Sequence, residues 1–410
     1  MVAMVAMVAM MLRLADRSRG LTLTNAVVLR PDLGVARSLR IVGGRIAGIG
    51  AAPARGDLVV DCRGAAILPG LINAHDHLEL NSFGRLKWRT RHENVREWIA
   101  DFQPRFATDP ALASNRPDTL DDRLFVGGLK NLLCGVTTVC HHNPLYRRLR
   151  TGFPVRVVRQ FGWSHSLGID GEQLGASYRR TPSGWPWIVH AAEGVDEGAA
   201  AELGEMDRLG CVGANTVLVH GVGLTPSDRA LAIARGCALV WCPSSNEFLF
   251  GKTADVRAFS ANGLLALGSD SRLSGDGDLI DEIRAARGTG LLPAHDLIRA
   301  VTSDAARALR LRHAGALVEG APADVAVFPA GSADPLDAVL ASRRADVRLV
   351  LLDGRPLVGD PDFADVFDVA RTSATRVRLD GRAKLLASTI ARQAQRAAIR
   401  ETGLDLEVAA

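Results

Sequence analysis

Two histidines separated by one residue stand at the end of an apolar run, and their spacing suits a metal ion. The run reads Leu-Pro-Gly-Leu-Ile-Asn-Ala-His-Asp-His and ends with His75 and His77. Successive side chains of a strand point to opposite faces, so the two imidazoles point the same way while Asp76 turns away. Neutral imidazole is a ligand for zinc, iron or nickel. The spacing therefore predicts a transition-metal site.

Three later apolar runs also end with polar residues that could belong to this site. His190 and Glu193 follow Trp-Ile-Val, His220 follows Val-Leu-Val, and Asp270 follows Leu-Leu-Ala-Leu-Gly-Ser. A lone histidine at the end of a strand is usually a hydrogen-bonded structural residue. Four such strand ends in one chain favour a common site instead, because the carboxyl ends of barrel strands meet on one face.

A second group of polar residues could contact a substrate on this face. Glu79 is the next inward-facing position after His77, and Trp88 lies a little further along the chain. His142 ends the second predicted strand, and His165 follows the third. Each also has a structural interpretation: a salt-bridged loop for Glu79, and capping or surface positions for the histidines. The sequence leaves both interpretations open.

The elements that must position these residues lie between residues 69 and 314, where apolar strands alternate with helical stretches. The predicted strands after the histidine pair are Thr137–Cys140, Val155–Phe161, Trp187–Ala191, Thr216–His220, Ala238–Cys242 and Leu264–Gly268. This alternation is typical of parallel βα units and predicts an α/β fold, a (β/α)8 TIM barrel. One clear strand occurs where the third and fourth are expected. We therefore expect a distortion around strand four, with Gly168 to Pro186 as the region concerned.

The two flanks of the barrel segment have a different pattern. Residues 21–68 and 315–362 contain short strands separated by glycine turns, which predicts one small β-sandwich domain built from both chain ends. Residues 363–410 are predicted to be a C-terminal helical extension, because residues 376–402 carry apolar side chains at helical spacing among many arginines. This basic helix is compatible with a homodimer. Residues 1–20, which begin with repeats of Met-Val-Ala, are expected to be a disordered leader, since a signal peptide normally has a basic n-region.

The composition excludes several classes of partner. The 410 residues carry a net charge of +4, with acidic and basic residues mixed along the chain, so nucleic acid is not an expected partner. No apolar run after the leader approaches the roughly 20 residues needed to cross a bilayer. The six cysteines occur singly, without a CxxC pair. Such cysteines suit a reducing compartment and predict a cytoplasmic protein.

From about residue 21 to 360 the sequence resembles the amidohydrolase superfamily. The run from Pro69 to His77 is similar to the first-strand signature of these proteins. The spacing of His190 and Glu193, and the segment Cys242-Pro-Ser-Ser-Asn, resemble the branch that contains cytosine, guanine and S-adenosylhomocysteine deaminases and the triazine hydrolases.

This resemblance implies that the metal ligands are His75, His77, His190 and Asp270. Binuclear members use a carboxylated lysine from strand four as a bridge. No lysine lies between strands two and five of this chain, which favours a single divalent ion, Zn²⁺ or Fe²⁺.

The same resemblance implies roles for the remaining residues. Three imidazoles and one carboxylate leave an open position for water, whose pKa the metal lowers to about 7. Asp270 would take the proton of this water, and His220 would polarise the atom that is attacked. Glu193 would carry a proton to the ring nitrogen or the leaving group. Its alternative role is to fix the tautomer of a liganding histidine.

The function expected from this site is hydrolytic deamination of a small amino-substituted heterocycle, purine-, pyrimidine-, pterin- or triazine-like, with release of ammonia. Hydrolysis of another C–N bond, in a cyclic amide or a ring-substituted amine, is the alternative enzyme, and ammonia release separates the two. A catalytically inactive structural relative is a third interpretation. Such relatives typically lose metal ligands, whereas this chain keeps all four.

Overall fold

A computed structural model describes residues 19–29, 34–112, 119–331 and 335–406 of the chain. Residues 1–18 of the predicted disordered leader lie outside these ranges. The strands are, in chain order, β1 (Leu21–Thr24), β2 (Val27–Leu29), β3 (Val35–Ala36), β4 (Leu39–Val42), β5 (Arg45–Ile49), β6 (Leu58–Asp61), β7 (Ala65–Pro69), β8 (Leu71–Asp76), β9 (Val136–His141), β10 (Arg156–Val157), β11 (Gly162–Ser166), β12 (Trp187–Ala191), β13 (Thr216–His220), β14 (Ala238–Trp241), β15 (Leu265–Leu267), β16 (Val325–Ala330), β17 (Leu349–Leu352), β18 (Arg355–Gly359), β19 (Ala374–Leu379), β20 (Arg382–Ala387) and β21 (Leu404–Leu406).

The α-helices of the described residues connect and flank these strands. They are α1 (Val95–Phe102), α2 (Leu120–Leu133), α3 (Leu167–Asp170), α4 (Gln173–Arg180), α5 (Glu197–Arg208), α6 (Pro226–Ala234), α7 (Pro243–Phe250), α8 (Arg257–Ala261), α9 (Leu279–Gly288), α10 (Ala294–Ala300), α11 (Ser303–Ala308), α12 (Pro335–Ala341), α13 (Ala364–Val369) and α14 (Ser388–Arg396). Short 3-10 turns occupy Leu78–Leu80, Gln103–Arg105, Pro110–Leu112, Arg147–Leu149, Arg344–Asp346 and Pro361–Phe363. Across the described residues, none of the helices has the length and apolar character needed to cross a bilayer.

The chain divides into two compact units. The first comprises the N-terminal part to Gly70, Ala316–Gln395 and the residues from Gly403 onward; the second comprises Leu71–Gly315 and Arg396–Thr402. In the first unit, a four-stranded sheet has the order β5-β4-β1-β6, and a nine-stranded sheet has the order β21-β19-β20-β18-β17-β16-β7-β2-β3. Strands β7 and β16 pair antiparallel, so segments from the two ends of the chain share one sheet. A core of buried aliphatic and aromatic side chains from both sheets holds this unit together.

The prediction that residues 363–410 form a helical extension is wrong. Strands β19 and β20 form an antiparallel hairpin there, and β21 pairs with β19. The hairpin turns at Asp380 and Gly381, which both have positive φ, 48° and 82°. A two-residue turn with φ above zero at both positions matches the twist of paired strands. Asp-Gly was therefore the sequence signal that should have outweighed the helical spacing, and α14 is all that remains of the predicted helix.

The second unit contains the parallel strands of the barrel. Strands β8, β9 and β10 form one ladder, and β11 to β15 form another. The backbone N–H of Asp270 donates to the carbonyl of His75 at 3.1 Å, which joins the end of the last strand to the first. The small and branched apolar side chains that fill the interior below the strand ends come from alternate positions of these strands. The TIM-barrel prediction is confirmed by this architecture together with the similar solved structures reported below.

The distortion expected around strand four lies between β10 and β11. Only residues 158–161 separate these two strands, whereas a crossover between neighbouring parallel strands needs a dozen or more residues. β10 pairs with β9, and β11 pairs with β12. One extended segment, residues 156–166, therefore supplies the strands that flank the two ladders of the barrel at this point. The region from Gly168 to Pro186, where a fourth strand was expected, contains α3 and α4 instead.

Candidate metal centre

The histidine pair lies at the carboxyl end of β8, the first barrel strand. His75 is fully buried, and His77 follows the last strand residue. At His75, strand β8 passes very close to the segment that follows β15. A Cβ atom added to Gly268 would lie only 2.6 Å from the Cβ of His75, which is too short for a real contact. Glycine at 268 therefore allows the first and last strands to approach each other at the site.

Four side-chain atoms from three strand ends, those of β8, β12 and β15, meet at one point. The Nε2 atom of His190 lies 3.3 Å from that of His77 and 3.4 Å from that of His75. Oδ1 of Asp270 lies 3.8 Å from the His75 Nε2 and 3.9 Å from the His77 Nε2. Donors of a tetrahedral ion with bonds of about 2.0–2.1 Å are roughly 3.4 Å apart. The separations thus fit a single divalent ion.

The candidate ligands are held in the orientation that metal binding requires. Nδ1 of His190 donates to the backbone carbonyl of His165 at 2.8 Å, which leaves the lone pair on Nε2. The Ser245 and Ser274 hydroxyls both donate to Oδ2 of Asp270 at 2.8 Å, which leaves Oδ1 facing the histidines. Partners of this kind fix tautomer and rotamer before a metal binds.

Burial sets the charge of these groups. Burial lowers the pKa of His75 and His190 well below the usual value for histidine, and that of His77 less strongly, so the uncharged rings have lone pairs to offer. Burial opposes ionisation of Asp270, but the neighbouring His77 and His220 outweigh it and hold its pKa below the usual value. The site therefore favours three neutral imidazoles and one carboxylate.

Glu193 and His220 form a second pair beside these four atoms. Nδ1 of His220 donates to Oδ1 of Asn246 at 2.9 Å, and its Nε2 lies 3.4 Å from Oε1 of Glu193. Burial, with the charge of Asp270, raises the pKa of Glu193 well above the usual value for glutamate. The protonated form is favoured, so Glu193 can act as a proton donor. Asn246 lies in the Cys-Pro-Ser-Ser-Asn segment, and orienting His220 is a role that the sequence did not reveal.

Two of these residues have unusual backbone conformations. His220 has a φ of 74° and Asp270 a φ of 50°. Non-glycine residues with positive φ are uncommon and tend to cluster at functional sites. Here the left-handed conformation occurs at His220, the last residue of β13, and at Asp270, shortly after β15, where the backbone turns each polar side chain toward the centre.

The chain is similar in sequence to known hydrolases. Residues 184–357 match the model of the amidohydrolase family. A 5-methylthioadenosine/S-adenosylhomocysteine deaminase of Halobacterium salinarum is 27% identical over 90% of this chain and 98% of its own. An aminodeoxyfutalosine deaminase of Deinococcus radiodurans is 39% identical over 99 residues, 24% of each protein. The chain is thus similar to amidohydrolases, through the family model over residues 184–357 and through named deaminases over most of its length.

Solved structures show the same fold. An adenosine deaminase from Xanthomonas campestris with bound zinc has a TM-score of 0.68 and 20% identity, covering 87% of this chain and 98% of that chain. An atrazine chlorohydrolase from Arthrobacter aurescens in complex with zinc has a TM-score of 0.70 and 18% identity, covering 85% and 100%. The histidine cluster, in a fold shared with these zinc-containing structures, supports a divalent-metal site in this chain.

A cavity of about 460 Å³ opens onto the candidate metal centre. The polar and metal-side groups that line it are His77, Asn143, His165, Ser166, His190, Glu193, His220, Asp270, Ser271 and Ser274, with Gln103 further out. The apolar groups are Leu80, Val95, Trp98, Ile99, Phe102, Phe106, Ile169 and Leu249. The spacing of Val95, Trp98, Ile99 and Phe102 predicts an amphipathic helix. It could not show that the apolar face of this helix borders the site.

Of the four residues predicted to contact substrate, His165 lines this cavity, and Glu79, Trp88 and His142 do not. Strand alternation stops at His77, because Leu78–Leu80 forms a 3-10 turn that carries Glu79 away from the cavity. Glu79 is buried, which raises its pKa to about 7, and it accepts a hydrogen bond from the Asn143 amide. Trp88 packs near Phe102, with ring centroids 6.2 Å apart.

His142 lies behind the candidate ligands rather than in the cavity. Its ring stacks on His190 with centroids 4.3 Å apart, and its Nε2 donates to the backbone carbonyl of Ser164 at 2.8 Å. One nitrogen of His142 nevertheless falls within 4.8 Å of nitrogens of His75, His77 and His190. His142 is therefore close enough to the three histidines for one of its nitrogens to reach the same ion.

Asp76, between the two histidines, anchors a buried polar network on the opposite face of β8. Its Oδ2 lies 2.9 Å from Nζ of Lys130 and accepts a hydrogen bond from Asn131 at 2.7 Å. Its Oδ1 accepts from Asn81 at 2.7 Å. The Lys130 ammonium also donates to the hydroxyl of Ser269, the residue before Asp270. The network thus connects the strand of the histidine pair to the segment that carries Asp270.

Proposed function

We propose that this protein is a metal-dependent aminohydrolase that replaces an amino group on a heterocyclic ring by hydroxyl and releases ammonia. The observation that carries the proposal is the meeting of three imidazole nitrogens and one carboxylate oxygen beside the Glu193–His220 pair. Relatives named as deaminases support the same reaction class. The substrate ring would be a purine, pyrimidine, pterin or triazine.

We infer one ion, with zinc preferred to iron, held by His75, His77, His190 and Asp270. A catalytic site with one oxygen and three nitrogen donors suits zinc. When bound, a divalent ion acts as a Lewis acid and lowers the pKa of a coordinated water to about 7. Lys130 lies between the first strand and the strand-four region, and its ammonium group forms a buried ion pair with Asp76. That pairing supports a single-ion site.

The residues of the chain would supply the proton transfers. The Asp270 carboxylate, held by Ser245 and Ser274, would accept one proton of the attacking water. The protonated Glu193 would give its proton to the ring nitrogen next to the attacked carbon. His220, whose Nδ1–H is held by Asn246, would keep the lone pair of its Nε2 toward the site and accept a hydrogen bond from the attacking water, which orients that water. The proton on Asp270 would then leave with the amino group as ammonia. One proton of the ring product would return to Glu193, so that ring-NH₂ and water give ring-OH and ammonia and both carboxyl groups regain their starting states.

The proposal can be tested with the purified full chain loaded with zinc. We expect about one tightly bound ion per chain, and equal amounts of ammonia and hydroxylated ring from at least one member of a panel of aminopurines, aminopyrimidines, aminopterins and aminotriazines. Asp270→Asn should abolish ammonia release. If no ring yields ammonia, the aminohydrolase assignment fails, and two tightly bound ions would overturn the single-ion inference.

The alternative reaction, hydrolysis of another C–N bond, gives a different product. A ring-substituted amine would release the substituted amine, and a cyclic amide would open without releasing ammonia. Mass spectrometry of the same reactions distinguishes these products from those of deamination.

A further inference from the structure

The cavity at the candidate metal centre has two unlike ends. The inner end contains the candidate ligands together with His165, Ser166 and Ser274, each of which stands at or contacts a strand end of the barrel. The outer end is formed by α1, by Phe106 beyond it and by Ile169 of α3. A substrate with a substituent that projects out of the inner end would therefore lie along an apolar wall.

The apolar wall is a helix face that the protein leaves partly uncovered. Val95, Trp98, Ile99 and Phe102 lie on one face of α1 at helical spacing, and none of them is fully buried. Ile169 is 53% exposed and also lines the cavity. These partly exposed apolar side chains leave surface that a ligand could cover. Covering it with an apolar part of a substrate would be favourable, because burial of apolar surface is favourable whichever molecule supplies the covering atoms.

The cavity offers little to a charged group. Among the described residues that line it there is no lysine or arginine, and the only carboxylates are Glu193 and Asp270 at the inner end. At the outer end, Gln103 is the polar side chain within the described lining. An anionic group placed against α1 would lose its hydration without gaining a partner, which is costly.

We propose that the substrate is an uncharged amino-heterocycle carrying a bulky apolar substituent, with the ring at the candidate metal centre and the substituent against the α1 wall. This inference rests on the proposed deamination for the role of the ring. It adds a specificity-determining surface, formed by Trp98, Ile99 and Phe102, that selects an apolar substituent over an anionic one.

The test measures binding of matched compounds to the zinc-loaded Glu193→Gln protein, in which the candidate proton donor is removed. For each of an aminopurine, an aminopyrimidine and an aminotriazine, the compounds are the unsubstituted ring, its benzyl derivative and its carboxybenzyl derivative. For at least one ring we expect the benzyl compound to bind roughly 30-fold more tightly than the unsubstituted ring, the scale of burying one apolar side chain. We expect the carboxybenzyl compound to bind at least about 10-fold more weakly than the benzyl compound.

Two wall variants and one control assign the preference to α1. Phe102→Ala should reduce the ratio of benzyl to unsubstituted affinity, and Ile99→Arg should shift the preference toward the carboxybenzyl compound. Phe153→Ala, in a phenylalanine that does not line the cavity and lies against Gly128 and Arg148, should leave the ratio unchanged. Thermal unfolding of each variant shows whether it is folded, and the gain predicted for Ile99→Arg cannot arise from misfolding.

The outcomes separate this inference from the proposed function. Equal affinity for the benzyl and carboxybenzyl compounds on every ring overturns the apolar subsite, even if the wild-type protein releases ammonia. A preference for benzyl compounds that the wall variants change supports the subsite. If that preference occurs without ammonia release by the wild-type protein on any ring, the deaminase assignment fails and the apolar subsite stands.

Discussion

Burial determines the protonation states of the residues in the site. Glu193 is removed from water and lies close to the charge of Asp270, which favours its neutral form. The buried histidines stay uncharged for the same reason and offer lone pairs. Proton donor and metal ligands can therefore stand side by side, because each protonation state is favoured by its own surroundings.

Replacing Glu193 by glutamine should separate metal binding from proton transfer. The amide has the size of the acid but cannot give up a proton, and Glu193 is not among the four candidate ligand residues. For Glu193→Gln we expect the metal content of the wild type and turnover at least ~100-fold lower, the usual scale for an acid–base group. Steady-state ammonia release and elemental analysis measure the two quantities. Glu197→Gln, at an exposed position of α5, is the matched control. A near-wild-type rate would remove Glu193 from the mechanism.

His142 provides a second prediction for single residues. Its Nε2 proton is committed to the Ser164 carbonyl, whereas Nε2 of His190 faces the other ligands. After dialysis against a weak chelator, we expect His142→Gln to keep its metal and His190→Gln to lose most of it. Metal content per chain is the measurement. Equal loss in both variants would show that His142 is a ligand.

Among the elements, β8 carries two functions on its two faces. His75 points into the site, and Asp76 points to the buried ion pair with Lys130 of α2. Both charged side chains of that pair are fully buried. Removing one partner of a buried pair leaves the other charge unpaired in a medium that solvates it poorly. The pair therefore acts as a fixed support for the strand that holds the histidines.

Lys130→Met should destabilise the protein strongly. The methionine fills similar space but leaves Asp76 without its counter-charge, so we expect a loss of about 3 kcal/mol in the free energy of unfolding. Denaturant unfolding measures the loss. The double variant Asp76→Asn with Lys130→Met should recover part of it, because neither charge is then buried alone. Lys252→Met, at an exposed position, should change stability by less than about 0.5 kcal/mol. If Lys130→Met behaves like this control, the ion pair is not a support.

On the scale of the whole molecule, the β-rich unit has its own charged anchor. Oδ2 of Asp57 accepts hydrogen bonds from Nε of Arg40 at 2.7 Å and from the Thr22 hydroxyl at 2.8 Å, and the Gly20 and Ala54 amides donate to the same carboxylate. The Arg40 hydrogen bond, against the effect of burial, holds the pKa of Asp57 well below the usual value. This anchor joins β1 and β4 to the loop before β6.

Asp57→Asn should weaken this unit in a way that depends on pH. A carboxyl with a lowered pKa in the folded state contributes stability above its unfolded pKa, about 3.9, and loses that contribution as the pH falls below it. We expect the variant to be about 2 kcal/mol less stable than the wild type at pH 7, with the difference shrinking below about pH 4. Unfolding curves at several pH values measure this. Asp365→Asn, at an exposed position of α13, should show no such trend. A constant difference from pH 7 to pH 3 would contradict the assignment.

The strand ends show what periodicity can predict for this protein. His75, His77, His190, His220 and Asp270 each follow a short apolar run, and parallel strands bring their carboxyl ends to one face. The short apolar runs predict the strands, and the common direction of parallel strands predicts that these residues meet. The same patterns failed where alternation stopped, as at Glu79, or where a turn signal competed with helical spacing, as at Asp380 and Gly381. The homodimer and the cytoplasmic location stay predictions.

Local sequence was enough to place the polar groups of the site, because the strand that carries each of them is encoded by the few residues around it. Tertiary structure alone decided what surrounds them. The partner of Asp76, the hydrogen bond that orients His220 and the wall formed by Trp98 and Phe102 all come from segments distant in the chain. Periodicity shows which face of a helix is apolar. Whether that face is covered by protein or left open to a ligand depends on how distant segments pack.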